Sequence, residues 1–275
     1  MQGSLEESGL LYKLASCCDK PLSHLGLSGN ALIPMLLGFG CTTVALAAVQ
    51  ILPSKRERLI ASVILSIIVP CSAQVAIIIA LSFLLNVKYV LLYIIFITTT
   101  FFILSYTLNL LIPGIVNAPK KIIQPPLKFP NFKKILIHSV KSGINFLRET
   151  ATPFVIGSII VSLLTYTNCF AKLSLWFSPI TNTFLHLPNE ATSLFMLSMI
   201  KRDLGAAALL SIVKAGTFTQ AEITVCLIIL TLFVPCFASV VLLFRQQKPP
   251  TAISIWLGSF VISMCVGKVA SLLML

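Results

Sequence analysis

The sequence predicts an all-α integral membrane protein with two re-entrant helical hairpins, each followed by a Pro-broken transmembrane helix, in an inverted repeat. Composition is the first reason: 57% of the 275 residues are hydrophobic, 10% are charged, and the mean hydropathy is +0.99. Soluble domains are about 25% charged. The second reason is a repeat, because Val69-Pro70-Cys71-Ser72-Ala73 returns as Val234-Pro235-Cys236-Phe237-Ala238. Proline interrupts a helix, and paired broken helices in repeated halves indicate a site near the membrane midplane.

Seven apolar segments organise the chain, and a spanning helix needs about 20 apolar residues. Two segments, 31–52 and 190–213, are interrupted near their middles by Gly38-Phe39-Gly40-Cys41 and by Lys201-Arg202-Asp203-Leu204-Gly205. We interpret these two as re-entrant hairpins, each with two half-length helices and an irregular tip. The other five are expected to be full spans, over residues 59–85, 89–113, 152–168, 220–244 and 251–275.

The net charge of +12 is explained by the positions of the basic loops. If the first hairpin enters from the cytoplasm and the second from outside, loops 53–58, 114–148 and 245–249 are all cytoplasmic. This arrangement follows the positive-inside rule. Counting both hairpins as full spans would place Arg245 and Lys248 opposite the other basic loops. We therefore expect an integral protein of the plasma (inner) membrane, whose surroundings are the lipid bilayer. Its positive charge is explained by the cytoplasmic loops and does not indicate binding to a nucleic acid.

One polytopic membrane domain, 1–275, is expected to contain two related halves. The first repeat covers 31–113 and the second covers 149–275, with Cys71 and Cys236 at equivalent places. The intervening segment 114–148 is predicted to be a basic cytoplasmic linker. Its end, 131–148, has the apolar and basic faces of a helix lying on the inner leaflet.

Three cysteines, Cys41, Cys71 and Cys236, share one setting at predicted helix breaks. Carbonyl groups near a break lose their helical partners, and thiolates with carbonyls suit a divalent ion such as ferrous iron, with zinc and copper as competitors. Asp203 is the only acidic residue deep in an apolar segment, where a carboxylate indicates function. The alternatives are inert packing for each cysteine and local pairing of Asp203 with the two basic residues before it.

The predicted site combines these ligands with the residues that shape the breaks. No tightly bound cofactor is expected. Gly267-Lys268 is isolated from any phosphate-binding loop, so enzymatic activity is not expected of this chain. Metal ligation is predicted for Cys41, Cys71, Cys236 and Asp203. Transport or gating roles are predicted for Gly40, Cys41, Pro70, Cys71, Ser72, Asp203, Pro235 and Cys236.

An ordered series of motifs resembles the C-terminal membrane region of the ferrous iron transport protein B (FeoB) family. The series covers nearly the whole chain and comprises Leu5-Glu6-Glu7-Ser8-Gly9, Gly26-Leu27-Ser28-Gly29-Asn30, Ile33-Pro34-Met35-Leu36-Leu37-Gly38-Phe39-Gly40-Cys41, Pro70-Cys71-Ser72-Ala73, Leu187-Pro188-Asn189-Glu190-Ala191-Thr192-Ser193, Lys201-Arg202-Asp203-Leu204 and Pro235-Cys236-Phe237-Ala238. The resemblance implies that two Gate motifs pass ferrous iron across the inner membrane. It also implies a partial or split permease subunit, with a separate GTP-binding chain that supplies missing helices and any GTP hydrolysis. A homo-oligomer is left open.

The first Gate motif departs from the family pattern at two places. Thr42-Thr43-Val44 follows the first cysteine where the family usually has Asn-Val-Pro, and Gln74-Val75-Ala76 stands where it has Arg-Leu-Pro. The second Gate motif keeps its charged residues. Three alternatives therefore stay open: transport of another divalent cation, transport of a nucleoside-like solute, and an inactive remnant.

Overall fold

A computed structural model describes residues 19–24, 26–112, 188–200, 202–216, 218–233 and 236–274, together with residues 144, 155 and 159. This part of the chain is helical and contains no strand. Short 3-10 turns lie at Gly29–Ala31 and Val49–Ile51. The α-helices of the described part are α1 Asp19–His24, α2 Leu32–Gly38, α3 Thr42–Ala48, α4 Lys55–Ile67, α5 Ser72–Ser82, α6 Val87–Leu111, α7 Asn189–Ile200, α8 Arg202–Ala215, α9 Gln220–Leu232, α10 Phe237–Gln246 and α11 Pro249–Met274.

Two of these helices, α6 and α11, are long and apolar enough to cross a membrane. Helices α4 and α5 are each too short to pass the same test alone and pass it only together, and they are bent by 41° at the break between them. The predicted span 220–244 is divided into α9 and α10, and 152–168 lies outside the described residues apart from 155 and 159. The described part thus supplies two or three candidate spans, and the total of five stays a prediction.

The first predicted hairpin consists of α2 and α3, which pack against each other. They are joined by residues 39–41, within the interruption that the sequence indicates. Gly38 lets this hairpin approach α4, because a Cβ atom there would lie 2.8 Å from Val69 Cγ1 and 2.9 Å from Leu65 Cδ2. The tip of the hairpin is therefore held beside the first Pro-Cys break.

The second predicted hairpin consists of α7 and α8, and its interruption is shorter than the sequence indicates. Helix α8 begins at Arg202, so Asp203 and Gly205 lie in its first turn. The reason is close packing, since a Cβ atom on Gly205 would lie 2.5 Å from Ser198 Cβ and 2.9 Å from the Leu194 carbonyl oxygen. Contact between the two arms thus begins within one turn of the tip.

Polar contacts show which helix ends lie together. Arg56, at the start of α4, donates from Nε to the Ile112 carbonyl oxygen at 2.8 Å and from Nη2 to Asn109 Oδ1 at 2.5 Å, at the end of α6. At the other end of α6, Asn86 Nδ2 donates to Gln220 Oε1 at 2.7 Å, at the start of α9. Helices α6 and α9 therefore begin at the same end of the molecule, and α4 begins at the opposite end.

Two acidic residues accept hydrogen bonds from the segment that enters the first hairpin. Asp19 Oδ1 accepts the Gly29 amide at 2.5 Å, and Glu57 accepts the Ser28 hydroxyl at 3.1 Å. Glu57 is fully buried in the first turn of α4, and the Ser54 side chain accepts its amide at 3.0 Å. The bond to Asp19 joins the entry of the hairpin to α1, and the bond to Glu57 joins it to α4, on which the hairpin tip also packs.

Helix α9 lies at the centre of the described core. Every residue from Ile223 to Leu232 is buried, and the helix packs against α6, α8 and α11. A helix that is buried all round reads as uniformly apolar, as α9 does. The last turn of α9, just before its break, is therefore enclosed by protein, the setting in which non-helical backbone is tolerated at membrane depth.

Candidate functional site

Three helices that start at the predicted breaks and tips are each preceded by a cysteine at the N-cap. Cys41 precedes α3, Cys71 precedes α5 and Cys236 precedes α10, with non-helical backbone at each. None of the three side chains caps the helix amides. By contrast, the N-cap residues of α4 and α9 are Ser54 and Thr219. Their hydroxyl oxygens each accept a hydrogen bond from an amide in the first turn, as is usual for these residue types. The three sulfur atoms are thus not occupied as helix caps.

The N-termini of these three helices lie together. The Ser72 amide, at the start of α5, donates to the Gly40 carbonyl oxygen at 3.3 Å, next to Cys41. In the first turns of α3 and α10, Thr43 Oγ1 and Ser239 Oγ are 3.4 Å apart. The first hairpin therefore contacts the starts of both helices that follow the repeated Pro-Cys motifs. The three cysteine side chains there are half-buried.

Hydroxyl groups adjoin the second-repeat cysteine. Cys236 Sγ lies 3.1 Å from Ser239 Oγ, which in turn contacts Thr43. Ser239 is 0% exposed and Thr43 is 6% exposed. Thr42 Oγ1 is also buried, and no hydrogen-bond partner for it occurs in the described part of the chain. The sequence alone does not single out Thr43 and Ser239, because their contact joins residues 196 positions apart.

Two further hydrogen bonds connect the first repeat to the end of α9. Gln74 Nε2 donates to the Leu230 carbonyl oxygen at 3.0 Å, and Tyr93 Oη lies 3.0 Å from Thr231 Oγ1. The last carbonyl groups of a helix lack intrahelical donors, so Gln74 supplies one at the second break. The sequence marks Gln74 only as a departure from a motif. Its partner could not be predicted.

Helix lengths place both breaks at a similar depth. Helix α5 has 11 residues and α9 has 13, which correspond to about 16 Å and about 20 Å at 1.5 Å per residue. Asn86, four residues after the end of α5, contacts the start of α9 at Gln220. Measured from that shared end, both breaks lie about 16–20 Å away, a distance shorter than the thickness of about 30 Å of a typical hydrocarbon core.

The predicted site residues are only partly gathered. Gly40 and Ser72 are in direct contact, which brings the segments of Cys41 and Cys71 together, and Pro70 lies in the non-helical break beside them. Pro235 and the side chain of Asp203 lie outside the described residues. Among the residues that the structure does describe, no group of three or more His, Cys, Asp or Glu side chains could hold a metal ion. The set Cys41, Cys71, Cys236 and Asp203 stays a prediction.

Comparison with curated proteins finds FeoB relatives. The Fe(2+) transporter FeoB of Staphylococcus aureus is 29% identical over 167 residues, which are 59% of this chain and 25% of that protein. The Fe(2+) transport protein A/Fe(2+) transporter FeoB fusion protein of Porphyromonas gingivalis is 25% identical over 166 residues, 59% and 20% of the two chains. The FeoB of Legionella pneumophila is 41% identical over 73 residues, 26% and 10%. The chain thus spans a quarter or less of the length of these relatives.

No solved structure matches the chain. The sequence model of the Gate family, described as nucleoside recognition, matches residues 3–82 and 147–249, which is most of the chain. Its apolar helices and its likeness to FeoB identify an integral membrane protein that resembles Fe(2+) transporters. The chain therefore belongs to the Gate (nucleoside recognition) family, together with the C-terminal membrane region of FeoB.

Proposed function

We propose that this chain carries ferrous iron across the membrane and that Cys41, Cys71 and Cys236 bind the ion in transit. The observation that carries the proposal is the meeting of three helix N-termini, each with a cysteine at its N-cap. The relatives that match the chain are named Fe(2+) transporters, which makes ferrous iron the first ion to test.

The chemistry of this arrangement suits a cation that binds briefly. Helix N-termini stabilise negative charge, and the thiolate is the form of cysteine that binds metals. An ion that passes from one cysteine to the next therefore displaces the proton of each thiol in turn, at a helix end that favours the resulting negative charge. Ion conduction also requires binding that is weak enough for release. Asp203, near the tip of the second hairpin, would relay the ion toward or away from the cysteines.

Three observations support an inverted arrangement of the two halves. The second arm of the first hairpin, α3, packs on α10, while the second arm of the other hairpin, α8, packs on α5. Each hairpin thus contacts the helix that follows the break of the other repeat. The first hairpin leads into α4 at the end fixed by Arg56, and the second leads into α9 at the opposite end, fixed by Gln220. Hairpins that enter from opposite sides suit alternating access.

We further propose a split permease in the inner membrane, with loops 53–58, 114–148 and 245–249 on the cytoplasmic side. The support for this orientation is the positive charge of these loops. GTP binding and hydrolysis would then belong to a partner chain. In this proposal, the present chain forms the ion path, and the partner chain controls when the path opens.

The test is uptake of radiolabelled ferrous iron, under reducing conditions, in cells that lack their own iron importers. The full chain is expressed alone and with a GTP-binding FeoB-type partner, and membrane insertion is measured in parallel. We expect uptake with the partner, and at least a tenfold loss of uptake in Cys236→Ser. The matched control is Cys265→Ser, since Cys265 is exposed on α11 and belongs to neither Pro-Cys motif.

Two outcomes would contradict the proposal. Iron uptake that is equal in Cys41→Ser, Cys71→Ser, Cys236→Ser and the Cys265→Ser control would remove the cysteines from the ion path. Absence of iron uptake with both chains inserted, combined with saturable nucleoside uptake, would instead favour the organic solute that the family description names.

A further inference from the structure

The cluster of Cys236, Ser239 and Thr43 joins one thiol and two hydroxyls from both repeats at the place where the three helix N-termini meet. Cys236 Sγ and Ser239 Oγ are 3.1 Å apart, and Ser239 Oγ and Thr43 Oγ1 are 3.4 Å apart. The Ser239 and Thr43 side chains are buried, whereas Cys236 is half-buried. Cys236 is therefore partly accessible from outside the protein, whereas the two hydroxyl-bearing side chains are enclosed.

These separations fit a shared coordination shell. For zinc, metal–sulfur bonds are about 2.3 Å and metal–oxygen bonds about 2.0–2.2 Å, and we use these lengths as a guide for other divalent ions. Two ligands of one such ion therefore lie roughly 3.0–3.6 Å apart for angles between 90° and 110°. Both observed distances fall within this range, so an ion could bind Ser239 together with either neighbour with little movement of the helices.

We propose that Ser239 and Thr43 are ligands of the passing cation and that, with Cys236, they form a mixed sulfur–oxygen step between the two repeats. This proposal rests on the proposed cation transport and adds the source of its selectivity. Thr43 comes from the first hairpin and Ser239 from the helix after the second break. The step is complete only while α3 and α10 remain in contact.

The ligand set has a chemical consequence. Thiolates favour soft ions, whereas oxygen ligands suit harder ions such as Mn²⁺. Two neutral hydroxyls beside one thiolate reduce the preference for zinc and cadmium, and they bind less firmly than two further thiolates would. The step therefore favours Fe²⁺ and Mn²⁺ as ions that can leave again, and it binds Cd²⁺ through Cys236 alone.

The experiment measures metal binding to the purified full chain in lipid nanodiscs, independently of transport. Free Mn²⁺ is followed by its electron paramagnetic resonance signal, and Cd²⁺ by its thiolate charge-transfer absorption. We expect Ser239→Ala and Thr43→Val to weaken Mn²⁺ binding about tenfold or more, the usual scale for disturbing a metal site. Cd²⁺ binding should change less than threefold.

Three further variants make the result specific. Ser105→Ala removes a hydroxyl that is equally buried but lies on α6, and it should leave both metals unaffected. Ser239→Thr keeps a hydroxyl and should restore Mn²⁺ binding. Ser239→Cys places a second thiol beside Cys236, so it should strengthen Cd²⁺ binding at least tenfold and increase the absorption.

Unchanged Mn²⁺ binding in both Ser239→Ala and Thr43→Val would overturn the inference, as would an equal loss in Ser105→Ala. If Cys236→Ser abolishes iron uptake while these hydroxyl variants bind Mn²⁺ normally, the transport proposal stands and the mixed step is wrong. If the cysteine variants all transport iron normally, the transport proposal fails whatever the hydroxyls bind.

Discussion

At the scale of single residues, Gly26 shows how the first hairpin is joined to the rest of the protein. Its φ angle is +78°, and a Cβ atom there would lie 2.5 Å from Asn109 Oδ1 and 3.4 Å from Arg56 Nη2. Arg56 in turn donates to Asn109 and to the Ile112 carbonyl oxygen. The turn before the hairpin therefore depends on glycine for its conformation and for its contact with α6.

Replacing Gly26 with alanine should lower the free energy of unfolding for two reasons. The left-handed conformation costs a non-glycine residue about 1–2 kcal/mol, and the new methyl group would push Asn109 away from Arg56. Gly216→Ala is the matched control, because its φ is +74° and no atom lies within 4 Å of its added Cβ. We expect Gly26→Ala to lower the thermal unfolding temperature in detergent more than Gly216→Ala. Equal shifts would show that the contact with Asn109 contributes nothing.

The cysteines illustrate what the sequence can predict at this scale. Proline and glycine act locally, so Pro70 and Gly40 predict where helices stop, and Cys71 and Cys41 are then found at the next helix starts. The hydroxyls of Thr43 and Ser239 carry no such local signal. Their contact depends on the packing of α3 against α10. A serine in an apolar helix does not by itself indicate a functional site.

At the scale of elements, the broken helices are stabilised by bonds across the two repeats. Gln74, in the first turn of α5, reaches the last turn of α9 and donates to the Leu230 carbonyl oxygen. Gln74 is 4% exposed, so solvent cannot readily replace this donor. The two breaks are thus held beside each other by a side chain from the first repeat and the backbone of the second.

Gln74→Leu should therefore destabilise the protein and loosen the pairing of the breaks. Leaving a buried carbonyl group without a donor costs about 1–3 kcal/mol. We expect a lower unfolding temperature and faster amide hydrogen exchange at the end of α9, measured by mass spectrometry. Gln50→Leu, at an exposed residue, is the control. Unchanged exchange in α9 would mean that the bond from Gln74 does not hold the second break.

Sequence patterns predict where these helices begin and end better than they predict which other helices these pack against. The interruption at Gly38–Cys41 and the division of 220–244 are visible because glycine, proline and polar residues stand out in apolar segments. The second hairpin shows the limit. Its charged run Lys201-Arg202-Asp203 suggests a wide tip, but Gly205 allows α8 to pack against α7 from its first turn. The close approach of two backbones is a tertiary effect that the run of charges does not reveal.

At the scale of the whole molecule, sequence alone predicts the membrane class but not which helices are neighbours. Apolar helices of similar composition could pack in many orders, because burial in lipid satisfies each of them nearly as well as contact with another helix. The pairs α3 with α10 and α8 with α5 therefore emerge only from the structure. They matter because each pair joins a hairpin of one repeat to a broken helix of the other.

These pairs and the polar contacts at the helix ends lead to a prediction about orientation. Arg56 lies beside the end of α6, whereas Gln220 lies beside its start, so α4 and α9 begin at opposite ends of the molecule. Lys55 should then lie on the same side as Lys248, which follows the return of α9 and α10. Lys214, close to the start of α9, should lie on the other side. All three lysines are exposed.

Single cysteines placed at these positions test the orientation directly. In a background without native cysteines, Lys55→Cys and Lys248→Cys should resist a membrane-impermeant maleimide added outside intact cells and react after permeabilisation. Lys214→Cys should react in intact cells, because the second hairpin enters from outside in the proposed inverted repeat. Labelling of Lys214→Cys on the same side as the other two would mean that α9 and α10 together do not cross the membrane. The second hairpin would then not enter from the side opposite to the first, and the inverted arrangement would be wrong.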